Sequence, residues 1–135
     1  MLLKMSTSTI RQALETALLT ISPSIDTVFE NAEYTPVVGT PYQRVFFLFT
    51  NPDNEYIGRR FNQRGYMQVI LSYPELVGSA TAQSRAEAIR SKFKSGQKYS
   101  TVSIDRTPKI GDGDSQDGRY VLPVFVNFFQ HIQES

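Results

Sequence analysis

Apolar residues at Ile10, Ala13/Leu14, Ala17/Leu18 and Ile21 recur at the spacing of one helical stripe, and predict an amphipathic helix that Pro23 ends. Thr27 to Phe29 suits a short strand, and Pro36, Gly39 and Pro41 mark a loop. From Tyr42 to Thr50 the pattern changes to alternation, with Val45, Phe47 and Phe49 on one side and Phe46 and Leu48 on the other. Asn51 to Arg64 is polar and turn-rich and reads as a loop. Tyr66 to Tyr73 predicts a second long strand, with Met67, Val69 and Leu71 opposed to Tyr66 and Ile70. Ser79 to Ser95 predicts a second helix through Ala82, Ala86, Ile89 and Phe93, with Gly96 where a left-handed C-terminal residue belongs. Thr101 to Arg106 and Arg119 to Phe129 complete the strands, joined by a glycine- and aspartate-rich loop from Lys109 to Gly118.

The order α-β-β-β-α-β-β predicts an α+β fold: a mixed, mainly antiparallel sheet of about four or five strands with two helices packed on one face. The last strand is apolar on both sides. Leu122, Val124, Val126 and Phe128 point one way, Val121, Phe125 and Phe129 the other, where a half-solvated antiparallel strand would alternate with polar residues. The face the helices leave uncovered must meet a curled part of the sheet, a loop or another subunit. This makes Val121, Phe125 and Phe129 a candidate subunit-interface strand.

Composition narrows the chemistry. A chain of 135 residues is expected to form one domain over residues 1–135. With no cysteine it has no disulfides, thiolate metal sites or cysteine nucleophile. Its single histidine, His131, follows a strand near the end of the chain and has no nucleophile and orienting group in evidence around it. Asp112, Asp114 and Asp117 are spaced somewhat like calcium ligands, but Asp117 stands where that loop needs glycine and Pro123 where it needs glutamate. Gly111 and Gly113 precede a strand rather than a helix, so they form no phosphate cradle. The expectation is a protein that is not an enzyme, with no metal and no cofactor. No apolar run reaches the ~18–20 residues of a membrane span, and the short Met1–Met5 start is no signal-peptide core. A soluble protein without a membrane partner is expected.

The net charge of +1 is uninformative, but its distribution is not. No Lys or Arg lies between Gln12 and Gln43, where Glu15, Asp26, Glu30 and Glu33 stand. From Arg85 to Lys98 five basic residues face Glu87 alone. Glu15, Glu30 and Glu33 on one side, and Arg90, Lys92 and Lys94 on the other, are candidate complementary charges, unless both are merely solvated faces. The long loop carries Tyr56, Arg59, Arg60, Phe61 and Arg64, a basic and aromatic mixture that reads as a solvated loop, a protein contact or a binder of a single nucleic-acid strand. The aspartates at 112, 114 and 117 make the second candidate loop.

Read together, these features resemble the phage tail terminator family. Asp26-Thr27-Val28-Phe29-Glu30-Asn31 with Pro36 resembles its short strand and proline loop, and Tyr42-Gln43-Arg44-Val45 the opening of its first long strand. Gly65-Tyr66-Met67-Gln68-Val69, closing at Tyr73-Pro74, is similar to its second. Gly78 before the second helix, Phe93 and Gly96 at its end, and Pro123-Val124 in the last strand also match. The resemblance implies a structural virion protein that caps the tail tube as a ring of copies, most often six, ends tube polymerisation and offers a surface for head–tail joining. Its implied partners are other copies of itself, the major tail tube protein and a head–tail connector or head-completion protein, with DNA only passing through the channel. The implied place is the head-proximal end of the tail, after assembly in the cytoplasm of the bacterial host. The alternatives are another tail, neck or head-completion protein of similar fold, or a small α+β nucleic-acid-binding domain.

Overall fold

The structure, a computed structural model, describes residues 7–22, 24–30, 32–50, 60–75 and 79–133, and among these the side chains of all but 7–9, 60–61 and 132–133. Its elements are α1 (Thr7–Leu19), β1 (Asp26–Val28), β2 (Tyr42–Phe49), β3 (Arg60–Pro74), α2 (Ser79–Lys92), β4 (Lys98–Tyr99), β5 (Val102–Ile104), β6 (Lys109–Ile110), β7 (Asp114–Gln116) and β8 (Arg119–Gln133). All eight strands join one sheet in the order β1-β2-β3-β8-β5-β4, with β6 and β7 also paired to β8. β1 runs parallel to β2, and every other pairing is antiparallel. The α+β class is as the alternating and helical patterns predict, with more strands than the four or five expected.

β3 and β8 are each 15 residues long and pair along their whole length, from Arg60↔Gln133 to Pro74↔Arg119. At ~3.4 Å per residue this ribbon is about 50 Å long, far beyond an ordinary strand. Its inner row of Met67, Val69, Leu71, Leu122, Val124, Val126 and Phe128 is buried. So are Val45 and Phe47 of β2, in the same row across the register pairs Val45↔Val69 and Phe47↔Met67. Both helices pack on this face: Ile10, Leu14, Ala17 and Leu18 of α1, and Ala82, Ala86 and Ile89 of α2 with Phe93 just beyond it, complete one core. The alanines let α2 lie close to the sheet. Each fully buried aliphatic side chain stabilises the fold by roughly 2 kcal/mol.

The second helix ends at Lys92 rather than Ser95, β1 and β5 are shifted or shorter than expected, and β4 is additional; three further differences shape the sheet. β3 starts at Arg60, so the loop expected to reach Arg64 gives way to strand there; residues 51–59 lie outside the described residues. Pairing with β8 overrides the polar local sequence, because the ladder satisfies backbone groups whatever the side chains are. β8 likewise continues past Phe129 to Gln133. The loop expected over Lys109 to Gly118 is in part sheet, since β5, β6 and β7 lie in succession along one side of β8.

The break between β6 and β7 has a local cause. Ile110 pairs with Val124 and Asp114 with Val121, so three residues, Gly111 to Gly113, oppose two, Leu122 and Pro123. This is a bulge, and it sits where Pro123 has no N–H to give the ladder. Gly111 donates its N–H to the Pro123 carbonyl at 2.8 Å, and a Cβ on Gly111 would lie 2.8 Å from the proline ring. Beyond β7 the chain reverses through Asp117 (φ 50°) and Gly118 (φ 75°), with Gln116 paired to Arg119. Two left-handed residues between paired strands make a two-residue hairpin, for which Asp-Gly is a preferred sequence.

Gly65 marks a tight point of the long ribbon. A Cβ there would sit 2.2 Å from the backbone oxygen of Leu48 and 3.0 Å from the Phe128 ring. The space is taken by an aromatic cluster, with Phe49 and Phe128 edge to face at 5.7 Å and Phe47 and Phe49 stacked at 6.1 Å. Gly65→Ala is therefore expected to lower the unfolding free energy by about 1–3 kcal/mol, because strand backbone cannot yield as a side-chain tip can. Urea denaturation measures this, and a wild-type midpoint would mean that β2 and β3 are not held at this spacing.

Candidate functional site

The outer face of the sheet is built from the alternate residues of the same three strands. Phe46 and Leu48 of β2 are 40% and 51% exposed. Beside them lie Tyr66, Gln68 and Ile70 of β3 and Val121, Pro123, Phe125 and Phe129 of β8, all half-buried. The register sets Phe46 opposite Gln68 and Gln68 opposite Phe125, so the rows are continuous across the sheet. Tyr66 meets Phe125 edge to face at 5.8 Å. Both described helices lie on the other side, so this face is a broad, rigid, largely apolar surface.

Arginines rim it. The Arg64 guanidinium stacks over Phe129 at 5.3 Å and pairs with Asp105 at 3.3 Å. Arg44 and Arg119 lie over Tyr42 at 5.7 and 4.9 Å, and Arg119 also donates to the Val37 carbonyl at 2.8 Å. That bond holds a loop whose tip, Val38, is 97% exposed.

The two margins of the sheet differ in charge. At the β1 margin lie Asp26, Glu30 and Glu33, with Glu15 of α1 close by. Glu30 is the organiser here: one carboxylate oxygen accepts the Phe47 N–H and lies 3.2 Å from Arg11, whose guanidinium stacks over Phe47 at 5.0 Å. β1 pairs β2 as far as Arg44, so this carboxylate caps a backbone donor on the stretch of β2 beyond β1. Burial pushes the Glu30 carboxyl up, but the Phe47 N–H and the bond and charge from Arg11 outweigh it, and its pKa lies below the ordinary value. Glu15 goes the other way: burial raises it, Arg11 offsets part of the rise and the Glu30 charge adds to it.

At the opposite margin α2 ends over β4. Arg90, Lys94 and Lys98 are exposed and Lys92 is half-buried, while the Tyr99 hydroxyl donates to the Lys92 carbonyl. Between α1 and β4 is a groove of about 460 Å³ lined by Ala13, Thr16, Ala17, Lys92 and Tyr99, among others. Arg85, counted in sequence with this basic segment, does not belong to its surface. It is 5% exposed, on the inner stripe of α2 with Ala82, Ala86 and Ile89, and burial lowers its pKa against the opposing effect of Tyr73. Its position three residues after Ala82 and four before Ile89 carries that signal.

The candidate residues thus fall into separate places. Tyr56 and Arg59 lie outside the described residues, and for Arg60 and Phe61 the backbone alone is described, in β3. Arg64 is a strand residue on the outer face rather than a loop residue, beside Phe129. Val121 and Phe125 share that face. Asp112, Asp114 and Asp117 are exposed along the bulge, β7 and the hairpin turn, and do not converge. Among the described residues no group of three or more His, Asp or Glu could hold a metal ion. His131 is exposed, with its ring edge to face against Phe129 at 5.4 Å.

A sheet with a largely apolar face that neither described helix covers, and with unlike charged residues at its two margins, suits a protein that makes contacts with other proteins. The comparisons agree. The chain belongs to the phage tail terminator family: the family model described as phage tail terminator protein matches residues 9–128. It is a structural protein of the phage tail. One solved structure shares the fold with a TM-score of 0.74 at 20% identity, over 97% of this chain and 99% of that one. No curated protein matches the chain.

The Glu30 junction makes a pH prediction. A carboxyl held below its unfolded value contributes stability that is present above that value and lost as pH falls through the folded one. Glu30→Gln, which still offers an oxygen to the Phe47 N–H, is expected to cost about 1 kcal/mol near neutrality. The difference from wild type should vanish in acid, below the ordinary carboxylate range. Thermal melts across pH check this, and a pH-independent difference would remove the charge from the account.

Proposed function

We propose that the chain acts as one domain that caps the head-proximal end of the tail tube as a ring of copies, six in number, and so ends tube polymerisation. Assembly takes place in the host cytoplasm. One side of the ring meets the last ring of tube protein, and the other offers a surface to a head–tail connector or head-completion protein, with DNA passing through the channel. The observation that supports this most is the uncovered apolar sheet face in a member of the tail terminator family: a rigid face of this kind suits contact with another subunit. Val121, Phe125 and Phe129, with Arg64 at the rim, are the proposed contact residues of that face. The segment carrying Tyr56, Arg59, Arg60 and Phe61 is assigned to the tube or lumen side, and the Asp112, Asp114 and Asp117 region to a second contact.

The physics of the task requires no catalysis. A growing tube exposes a self-complementary end that each added ring regenerates, so growth stops when that end is occupied by something that does not regenerate it. A terminator needs one surface matched to the tube and a different one facing away, which a chain with two unlike sets of surfaces can provide.

Phage lacking this protein should make tails that overrun their set length or fail to join heads, while heads still fill with DNA. Purified protein added during assembly should restore length, and added afterwards should not shorten overgrown tubes. Electron microscopy of the particles decides: tails of normal length, joined to heads in its absence, would contradict the reading.

A further inference from the structure

The sheet order places β1 and β4 at opposite margins of one sheet, each paired on one side. The register chain Asp26↔Tyr42↔Ser72↔Val121 fixes one corner, and Lys98↔Ser103↔Phe129↔Arg64 fixes the diagonal one. At the first corner Asp26 and Glu33 are exposed, Asp26 accepting the Tyr34 hydroxyl at 2.9 Å; the cations nearest to it, Arg44 and Arg119, are stacked on Tyr42, and Arg11, further along β2, is engaged by Glu30. At the second, Arg90, Lys94 and Lys98 are exposed, with Glu87 as the one acidic residue of α2. Helix-end electrostatics favours Arg90, Lys92 and Lys94, which follows the last helical bond from Phe93 to Ile89, while Lys98 stands apart in β4.

We propose that copies of this chain associate head to tail through these two margins, the acidic β1 margin of one against the basic β4 margin of the next. The occupant is a second copy because the complement of each margin stands on the same chain, and two different patches on one subunit are what a ring-closing contact requires. The groove between α1 and β4 gives the basic side apolar surface to bury, with Ala13, Ala17 and Tyr99 in its wall. Because the corners are diagonal, the strands run oblique to the ring axis. This inference rests on the ring reading above and adds to it which surfaces meet.

The test exchanges the charges. Variant A carries Lys94→Glu and Lys98→Glu; variant B carries Asp26→Lys and Glu33→Lys, leaving Glu30 in place for Arg11 and Phe47. Sedimentation of the full chain, with tube protein added where the free chain associates weakly, is expected to show association that weakens with salt. Each variant alone should associate about tenfold or more weakly than wild type, since like charges then face each other. An equimolar mixture of A and B should recover it, because every A–B contact again joins opposite charges. Thermal melts establish that A and B are folded, and Lys94→Gln with Lys98→Gln replaces A if it is not, with an intermediate loss expected. Variants that associate like wild type, or a mixture no better than either alone, would overturn this assignment while the ring reading stands. Loss in A that B neither shares nor rescues would give the basic margin to another partner, such as nucleic acid, and overturn it too. Wild-type protein that stays monomeric even on the tube would overturn both.

Discussion

The antiparallel pairing of β3 with β8 is the contact on which the rest of this molecule depends. It runs for the full 15 residues of both strands, and it puts β8 in the middle of the sheet, with β3 on one side and β5, β6 and β7 on the other. One strand therefore supplies the central row of the core, through Leu122, Val124, Val126 and Phe128, and the central row of the outer face, through Val121, Pro123, Phe125 and Phe129. A one-residue slip would exchange the two rows and bring half-buried aromatics under the helices. Gly65 and the aromatic cluster over it are where that register is least tolerant of change.

Having β8 in the centre also decides which surfaces are free. One of its edges is paired along the whole strand and the other, apart from the bulge and short gaps, from Arg119 to Phe129, so over that stretch it offers a face and not an edge to a partner. The free edges belong to the short strands at the margins. β1 is three residues long and β4 two, and the Phe47 N–H on β2 beyond β1 is capped by the Glu30 carboxylate. Short, charged margins of this sort resist indiscriminate strand addition while leaving room for a specific, charge-matched neighbour. The face is a different kind of surface: apolar at the centre, rimmed by Arg44, Arg64 and Arg119, each of which stacks on an aromatic ring. Apolar centre and arginine rim together match the composition of protein–protein contact surfaces.

Much of this was legible from alternation alone. The inner and outer rows of β2, β3 and β8 and the stripes of both helices follow from period-two and period-four spacing, and these residues take the faces their spacing assigns. What local pattern could not show was long-range pairing. Arg60 to Arg64 is polar enough to read as loop, yet forms strand because residues 129 to 133 lie opposite it. Gly111 to Gly113 reads as loop and is a bulge opposite Pro123, a relation between residues ten or more apart in sequence. Asp117-Gly118 is a hairpin turn signal in the sequence, independent of the aspartate spacing around it. Arg85 is one charge among several in sequence, and its place in the helical stripe puts it inside. The segregation of acidic and basic residues was visible along the chain; that Asp26 and Lys98 end at diagonal corners of one sheet follows from topology.

Nothing in this arrangement demands a reacting group, and the tail terminator family to which the chain belongs is a structural one. The central proposal concerns place: a closed ring of this protein at one end of the tail tube. Cryo-electron microscopy of tubes assembled from purified tube protein with this chain present tests that most directly. The account predicts density for a single additional ring at one end of each tube, with the sheet margins of neighbouring subunits in contact. Subunits scattered along the tube wall, or tubes with both ends bare at saturating protein, would contradict it.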